Sequence, residues 1–253
     1  MPAELREREF PPLAVRAQLR WHLVKPIVTA LAPRTTIEVG VGQGAMGARI
    51  ASLTSGSYVA FELDEDSYQK ASQRIERAGG VVHATSLEAF DPAPSDLLCA
   101  FEVLEHIEED GRALGEWVGY LVPGGHVLLS VPANPRRFGP MDQHAGHYRR
   151  YTAAQLIDLA TAAGLVDISA KMYGSPLGYL LEAVRNRIDA KKVANVRDLS
   201  TASLTAASGR TFQFDQRSWK SVLATAATLP FRYLQTICPG GVGLVLTARK
   251  PLA

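Results

Sequence analysis

Cysteine is scarce: only Cys99, inside an apolar run, and Cys238, beside a Pro-Gly-Gly turn, occur in 253 residues. Two isolated thiols suggest neither a disulfide framework nor a cysteine zinc site, and both read as plain thiols. Long apolar runs are missing as well, since none approaches the roughly 20 residues needed to cross a bilayer. The first residues carry Glu4, Arg6, Glu7, Arg8 and Glu9 where a secretory signal needs an uninterrupted apolar stretch, so the chain is expected to be cytoplasmic. No internal repeat is found. What is present is a hydrophobic content of 47% against 21% charged residues, the balance of a globular domain able to bury a substantial core.

The near-neutral total of +2 hides an asymmetry. Residues 1–133 hold 11 basic against 18 acidic side chains, a net of −7, whereas residues 134–253 hold 16 against 7, a net of +9. An acidic region suits a cationic ligand, and a basic one suits an anionic ligand, a lipid surface or a nucleic acid. Solvated surface charge with no partner accounts for the basic half equally well.

Residues 14–31 place Val15, Leu19, Leu23, Ile27 and Leu31 at intervals of four, which predicts an amphipathic leading helix that Pro26 can kink. Thr35 to Val39 then reads as a strand, followed by a glycine cluster and a helix from Ala45 to Leu53. The alternation repeats with strands at 57–63, 81–84 and 96–101 and helices at 64–78 and 108–121. Pro123-Gly124-Gly125 precedes a further strand, His126 to Val131. Such a rhythm predicts an α/β fold with a parallel sheet covered on both faces. After Pro132 a polar loop runs to Tyr151, then a Thr152-capped helix and a short strand near 165–169. The expected organisation is therefore an N-terminal helix over 1–33, a core of 34–173 and 241–253, and a helical insertion over 174–240. That insertion has helices at 177–193 and 217–229 and a polar segment near 199–209. About seventy residues are too many for an idle connection, so the insertion is expected to cap an acceptor site. Tyr179, Leu180, Leu181, Val184 and Ile188 form its apolar stripe, with Arg185, Arg187, Lys191 and Lys192 on or near the other face. That basic face leaves peripheral membrane contact open.

Glu38-Val39-Gly40-Val41-Gly42-Gln43-Gly44 follows a strand and opens a helix, where glycines let the backbone approach a ligand. Glu62 closes the second strand 18 residues after Gly44, placed for the two hydroxyls of a ribose. The glycines alone leave the ligand open, because G-x-G-x-x-A and G-x-G-x-x-G dinucleotide patterns both fit. The acids discriminate. A pyrophosphate at this turn would be repelled by Glu38, whereas a cationic sulfonium and α-amino group match carboxylates at Glu38, Glu62 and Glu102.

In these residues the chain resembles the class I S-adenosylmethionine-dependent methyltransferases over positions 35–170. Three blocks carry the likeness: Ile37 to Gly44, Phe101-Glu102-Val103-Leu104-Glu105-His106-Ile107, and Leu121 to Pro132 with its Pro-Gly-Gly. The resemblance implies a Rossmann-like, seven-stranded, mostly parallel sheet whose last strand is antiparallel, with S-adenosyl-L-methionine as cofactor. It also implies Gly40, Gly42 and Gly44 around the methionine moiety, Glu62 on the ribose, Leu63 as a further cofactor contact, and Phe101 to Val103 beside the methionine end. Many relatives place an Asp against the adenine amino group, but this chain reads Ala84-Thr85-Ser86-Leu87-Glu88. Ser86 is the substitute acceptor there, with the Leu87 backbone N–H as donor.

Past the fifth strand, Asp142-Gln143-His144-Ala145-Gly146-His147-Tyr148-Arg149-Arg150-Tyr151 falls at the end of the sheet where α/β folds bind ligands. His144 or His147 is the candidate general base, weighed against a purely structural role and against a metal site of Asp142, His144 and His147 that is set aside for lack of a thiolate. Tyr148, Arg149 and Arg150 are candidate acceptor contacts, the arginines as clamps for a carboxylate or phosphate. The expected function is methyl transfer to a small-molecule or lipid-like acceptor. A nicotinamide-dependent oxidoreductase and a catalytically silent S-adenosylmethionine-binding protein are the alternatives. The absence of an Asn-Pro-Pro-Tyr-like signature speaks against nucleic acid as acceptor. The sequence leaves oligomeric state and methylated atom open.

Overall fold

A computed structural model describes residues 10–193 and 219–252. Its strands are β1 (Thr35–Val39), β2 (Ser57–Phe61), β3 (Val81–His83), β4 (Ser95–Phe101), β5 (Leu121–Pro132), β6 (Val166–Gly174) and β7 (Gly241–Arg249). They form one sheet in the order β3-β2-β1-β4-β5-β7-β6. The strands β1 to β5 pair in parallel, and β7 runs antiparallel between β5 and β6. The α/β class and the antiparallel last strand therefore stand as read from the sequence.

The alternation of side chains along a strand divides the core into two layers. On β4, Leu98 and Ala100 join a cluster with Leu114, Trp117, Tyr151 and Leu156, whereas Leu97, Cys99 and Phe101 join one with Leu19, Val24, Ile50 and Tyr58. The helices supplying these layers are α1 (Val15–Leu31), α2 (Ala45–Ala51), α3 (Glu65–Glu76), α4 (Leu87–Phe90) and α5 (Asp110–Gly119). They are followed by α6 (Pro140–Ala145), α7 (Ala153–Ala162), α8 (Leu177–Val193) and α9 (Trp219–Ile237). Strand order reverses between β1 and β4, so the crevice for a ligand opens at the carboxyl ends of those two strands. The glycine turn and Glu102 both sit there.

Three expectations, two of them about helix faces, are corrected. The stripe on α1 is displaced: Val15, Leu23, Ile27 and Leu31 are only half-buried, while Gln18, Leu19, Arg20, Trp21, Val24 and Val28 are buried. Polar residues enter that face because they find partners. Gln18 hydrogen-bonds Thr225, Thr228 and Arg232 of α9, and Gln235 of α9 donates to the Leu19 carbonyl. The face of α8 is inverted, with Leu180, Val184 and Ile188 exposed while Glu182 and Asp189 are buried. Helix α8 turns its acids inward because arginines await them, Arg137 and Arg150 for Glu182 and Arg185 for Asp189. The stretch expected to be a polar loop before Tyr151 contains α6, whose Pro140 starts the helix and whose Gly146, at φ 74°, ends it. The expected polar segment near 199–209, Arg217, and the side chains of Lys191 and Lys192 lie outside the described residues.

Candidate active site

The glycine turn connects β1 to α2. Gly40 and Val41 donate to the Phe61 carbonyl at 2.9 and 3.1 Å, which closes the turn against the end of β2. Gly40 is tight: a Cβ there would meet Val103 Cγ2 at 2.7 Å, so Val103 packs directly on the turn. Gly42 is the opposite case. Its φ is 55°, and an added Cβ would meet nothing within 4 Å. The missing side chain faces open space, and a Cβ would fill room that a bound molecule can use. Gly44, the third glycine, is the left-handed N-cap of α2.

Glu62 stands beside this space. Its carboxylate accepts the Gly42 N–H at 2.7 Å and the Asp64 N–H at 2.9 Å, and burial raises its pKa. Each oxygen retains acceptor capacity, so the predicted ribose contact is compatible with this placement. Leu63 follows it and is exposed.

The other acids are engaged. Glu38 is buried and accepts from the Tyr58 hydroxyl at 2.5 Å. Burial lifts its pKa to about 7, against the pull of Tyr58 and Arg20. Glu102, at φ 58°, receives Arg16 and Arg20 at 3.3 and 3.2 Å and accepts from Ser130 and Tyr173. Burial alone would raise its carboxyl, yet the two arginines hold it down at about 2. The reading of Glu102 as an acid kept for a cationic ligand is therefore corrected: its charge is met by α1. Sequence reasoning missed Arg16 and Arg20. The available signal was an i, i+4 arginine pair on the otherwise apolar flank of α1. Phe101 is buried in the core with the Arg20 guanidinium 5.5 Å above its ring. Ser86 caps α4, its Oγ accepting the Ala89 N–H at 3.2 Å, and the Leu87 side chain is buried.

The loop after β5 is tied by Asp142. Its carboxylate accepts from the Gly139 N–H, from His147 Nδ1 at 2.8 Å, and bidentately from Arg150 at 2.8 and 2.7 Å. Burial would raise this group, but the His147 and Arg150 hydrogen bonds lower it to about 2. Arg150 is itself buried and sends its remaining side to Glu182 at 3.0 Å. Arg149 pairs with Asp110 at 2.8 Å and donates to the Glu108 carbonyl. The predicted acceptor clamp is thus corrected. Arg150 spends its donors inside the protein, and Arg149 is held by Asp110. Tyr148 is exposed and lines a cleft of about 460 Å³ with Phe138, Arg149 and Gln155. Of the two candidate bases, His147 is wedged between Asp142 and Glu105, and His144 is half-buried on α6. Asp142 and His144 do not meet on a common ligand with His147, because Asp142 lies behind the His147 ring on Arg150.

This architecture and these motifs are similar to those of the class I S-adenosylmethionine-dependent methyltransferases. Residues 37–129 match a family described as a methyltransferase domain. The chain is 30% identical over 173 residues to a probable S-adenosylmethionine-dependent methyltransferase of Mycobacterium tuberculosis, covering 64% of this chain and 61% of that protein. It is 27% identical over 139 residues to a ubiquinone biosynthesis O-methyltransferase of Leptothrix cholodnii, covering 52% and 59%. The chain thus spans about three fifths of the length of these relatives. Among solved structures, the YcgJ protein of Bacillus subtilis superposes with a TM-score of 0.59 at 11% identity, covering 92% of this chain and 99% of that one. A phosphoethanolamine N-methyltransferase of Haemonchus contortus reaches 0.55 at 17%, covering 86% and 49%.

Two outcomes follow from the buried charges. Arg150→Ala leaves Asp142 and Glu182 without their shared cation and is expected to cost roughly 3–5 kcal/mol in urea unfolding, with a loss under 1 kcal/mol contradicting the pairing. For Glu38, a folded pKa near 7 against 4.5 unfolded means that the native state holds a proton the unfolded chain releases. Its contribution is full below pH 4.5 and lost as pH rises through 7. Glu38→Gln should therefore melt higher than the parent above pH 7, by on the order of 1–3 kcal/mol, with the gap closing toward pH 4.5. A difference that does not vary over that range would refute the assignment.

Proposed function

We propose that the protein transfers a methyl group from S-adenosyl-L-methionine to a small-molecule or lipid-like acceptor. The observation that carries this reading is the open space at Gly42, bordered by Glu62 and by the turn that Val103 packs against. The residues fit the cofactor. Glu62 is placed to accept from ribose hydroxyls, and Gly40 to Gly44 offer close backbone approach. Bound there, the cofactor supplies a sulfonium-activated methyl group. The chain's own task is to align the acceptor and exclude water.

On the acceptor side, α8 and the loop of residues 139–151 are locked together through Arg150, and Asn186 accepts the Met141 N–H at 3.0 Å. This supports a cap over the acceptor formed by the 174–240 insertion. Tyr148 is the candidate contact there. His144 is the histidine left to act as general base, since both nitrogens of His147 face carboxylates.

Calorimetry with S-adenosylmethionine, its demethylated product, NAD and NADP tests the reading. Binding of the first two and not the dinucleotides is expected, and a preference for a dinucleotide would overturn it. Glu62→Ala should weaken the adenosyl ligand by about 1.5–3 kcal/mol, and Gly42→Val should abolish binding.

A further inference from the structure

After β4 the chain tightens into a single 3-10 turn, Leu104–His106, which sets Glu105 and His106 side by side at the carboxyl end of the sheet. The loop after β5 closes onto this turn through the Tyr148 N–H, which donates to the Glu105 carbonyl at 2.8 Å. That closure brings in His147, whose Nε2 lies 3.9 Å from Glu105 Oε1 and whose ring meets His106 edge-on at 4.7 Å.

Glu105 is 0% exposed, and no other described residue hydrogen-bonds either of its carboxylate oxygens. At 3.9 Å the His147 nitrogen is beyond hydrogen-bond reach. A buried carboxyl that no neighbouring residue hydrogen-bonds costs folding free energy whether ionised or protonated. Both histidines, in contrast, are oriented from behind. Asp142 Oδ1 takes His147 Nδ1 at 2.8 Å, and the Gly146 carbonyl lies 3.3 Å from His106 Nδ1. A carboxylate or carbonyl on the far nitrogen is the usual support of a metal-bound imidazole, fixing its tautomer and turning the other nitrogen to the ion. One ligand atom from each of Glu105, His106 and His147 lies within 4.8 Å of the others. Ligand atoms around one tetrahedral ion stand about 3–3.5 Å apart, so a modest contraction closes the set.

We propose that Glu105, His106 and His147 form a binding site for one divalent first-row transition-metal ion. Two imidazole nitrogens and one carboxylate oxygen suit zinc, iron(II), cobalt(II) or manganese(II), and leave coordination positions open. The trio replaces the Asp142, His144 and His147 set weighed from the sequence. Asp142 supports His147 rather than sharing its ion, and His106 and Glu105 come from a segment some forty residues earlier. On the methyl-transfer reading, an open position here would take an acceptor oxygen and lower its pKa, but the site itself does not depend on that reading.

The test uses the full chain, stripped with a chelator and titrated with cobalt(II) alone, followed by calorimetry and the visible ligand-field spectrum. One equivalent with an intense low-coordinate spectrum is expected, and both Glu105→Gln and His106→Gln should weaken binding at least tenfold. Absence of saturable binding overturns the proposal, as does binding that neither variant changes. Should both variants fail to fold, the melting temperature of the parent decides: a rise with cobalt(II) supports the site, and no rise overturns it. Adenosyl-ligand binding, measured separately on the stripped protein, distinguishes failure here from failure of the methyl-transfer reading.

Discussion

A single buried guanidinium holds the ligand end of this fold in shape. Arg150 spans Asp142 on one side and Glu182 on the other, and so fastens the loop after β5 to helix α8. Buried ion pairs contribute little net stability compared with apolar packing, but they are expensive to break from one side and therefore specify position. Position is what matters here. With Asp142 fixed, the His147 ring is fixed, and the turn carrying Glu105 and His106 gains its neighbour.

A second charge centre performs the same service for the other layer. Glu102 adopts a left-handed backbone conformation that is unfavourable for a side chain bearing a Cβ, and it is retained by Arg16, Arg20, Ser130 and Tyr173 from three different elements. Strain at the end of β4 is thus balanced by charge pairing with α1. Of the acids of the first half, Glu38 and Glu102 are internal anchors, whereas Glu62 borders the open space at Gly42.

How much of this could be read in advance depended on whether the cause was local. Strand and helix alternation, the glycine turn and Pro123-Gly124-Gly125 are local signals, and the sheet they announced is the one observed. Helix faces were less legible. On α8 the apolar residues Leu180, Val184 and Ile188 pointed to a buried stripe, but Glu182 and Asp189 took that face because of arginines, of which Arg137 and Arg150 lie more than thirty residues away. The roles of Arg149 and Arg150 failed for the same reason, since a donor's partner cannot be seen from its own segment. Glu105 escaped notice in a block noticed for its neighbours, because nothing in a sequence marks a carboxylate that no neighbouring residue hydrogen-bonds.

The two thiols noted first in the chain are unequal. Cys99 lies in the middle of β4, buried, and burial together with Glu38 pushes its thiol well above the ordinary range, which keeps it from forming the reactive thiolate. Cys238 is half-accessible, just past α9 where the chain turns into β7, three residues beyond the Gln235 side chain that receives the Gly174 N–H. The protein as it stands thus has a selective attachment point for a fluorescent or spin label at the base of the α9 connection, without any cysteine having to be removed or introduced.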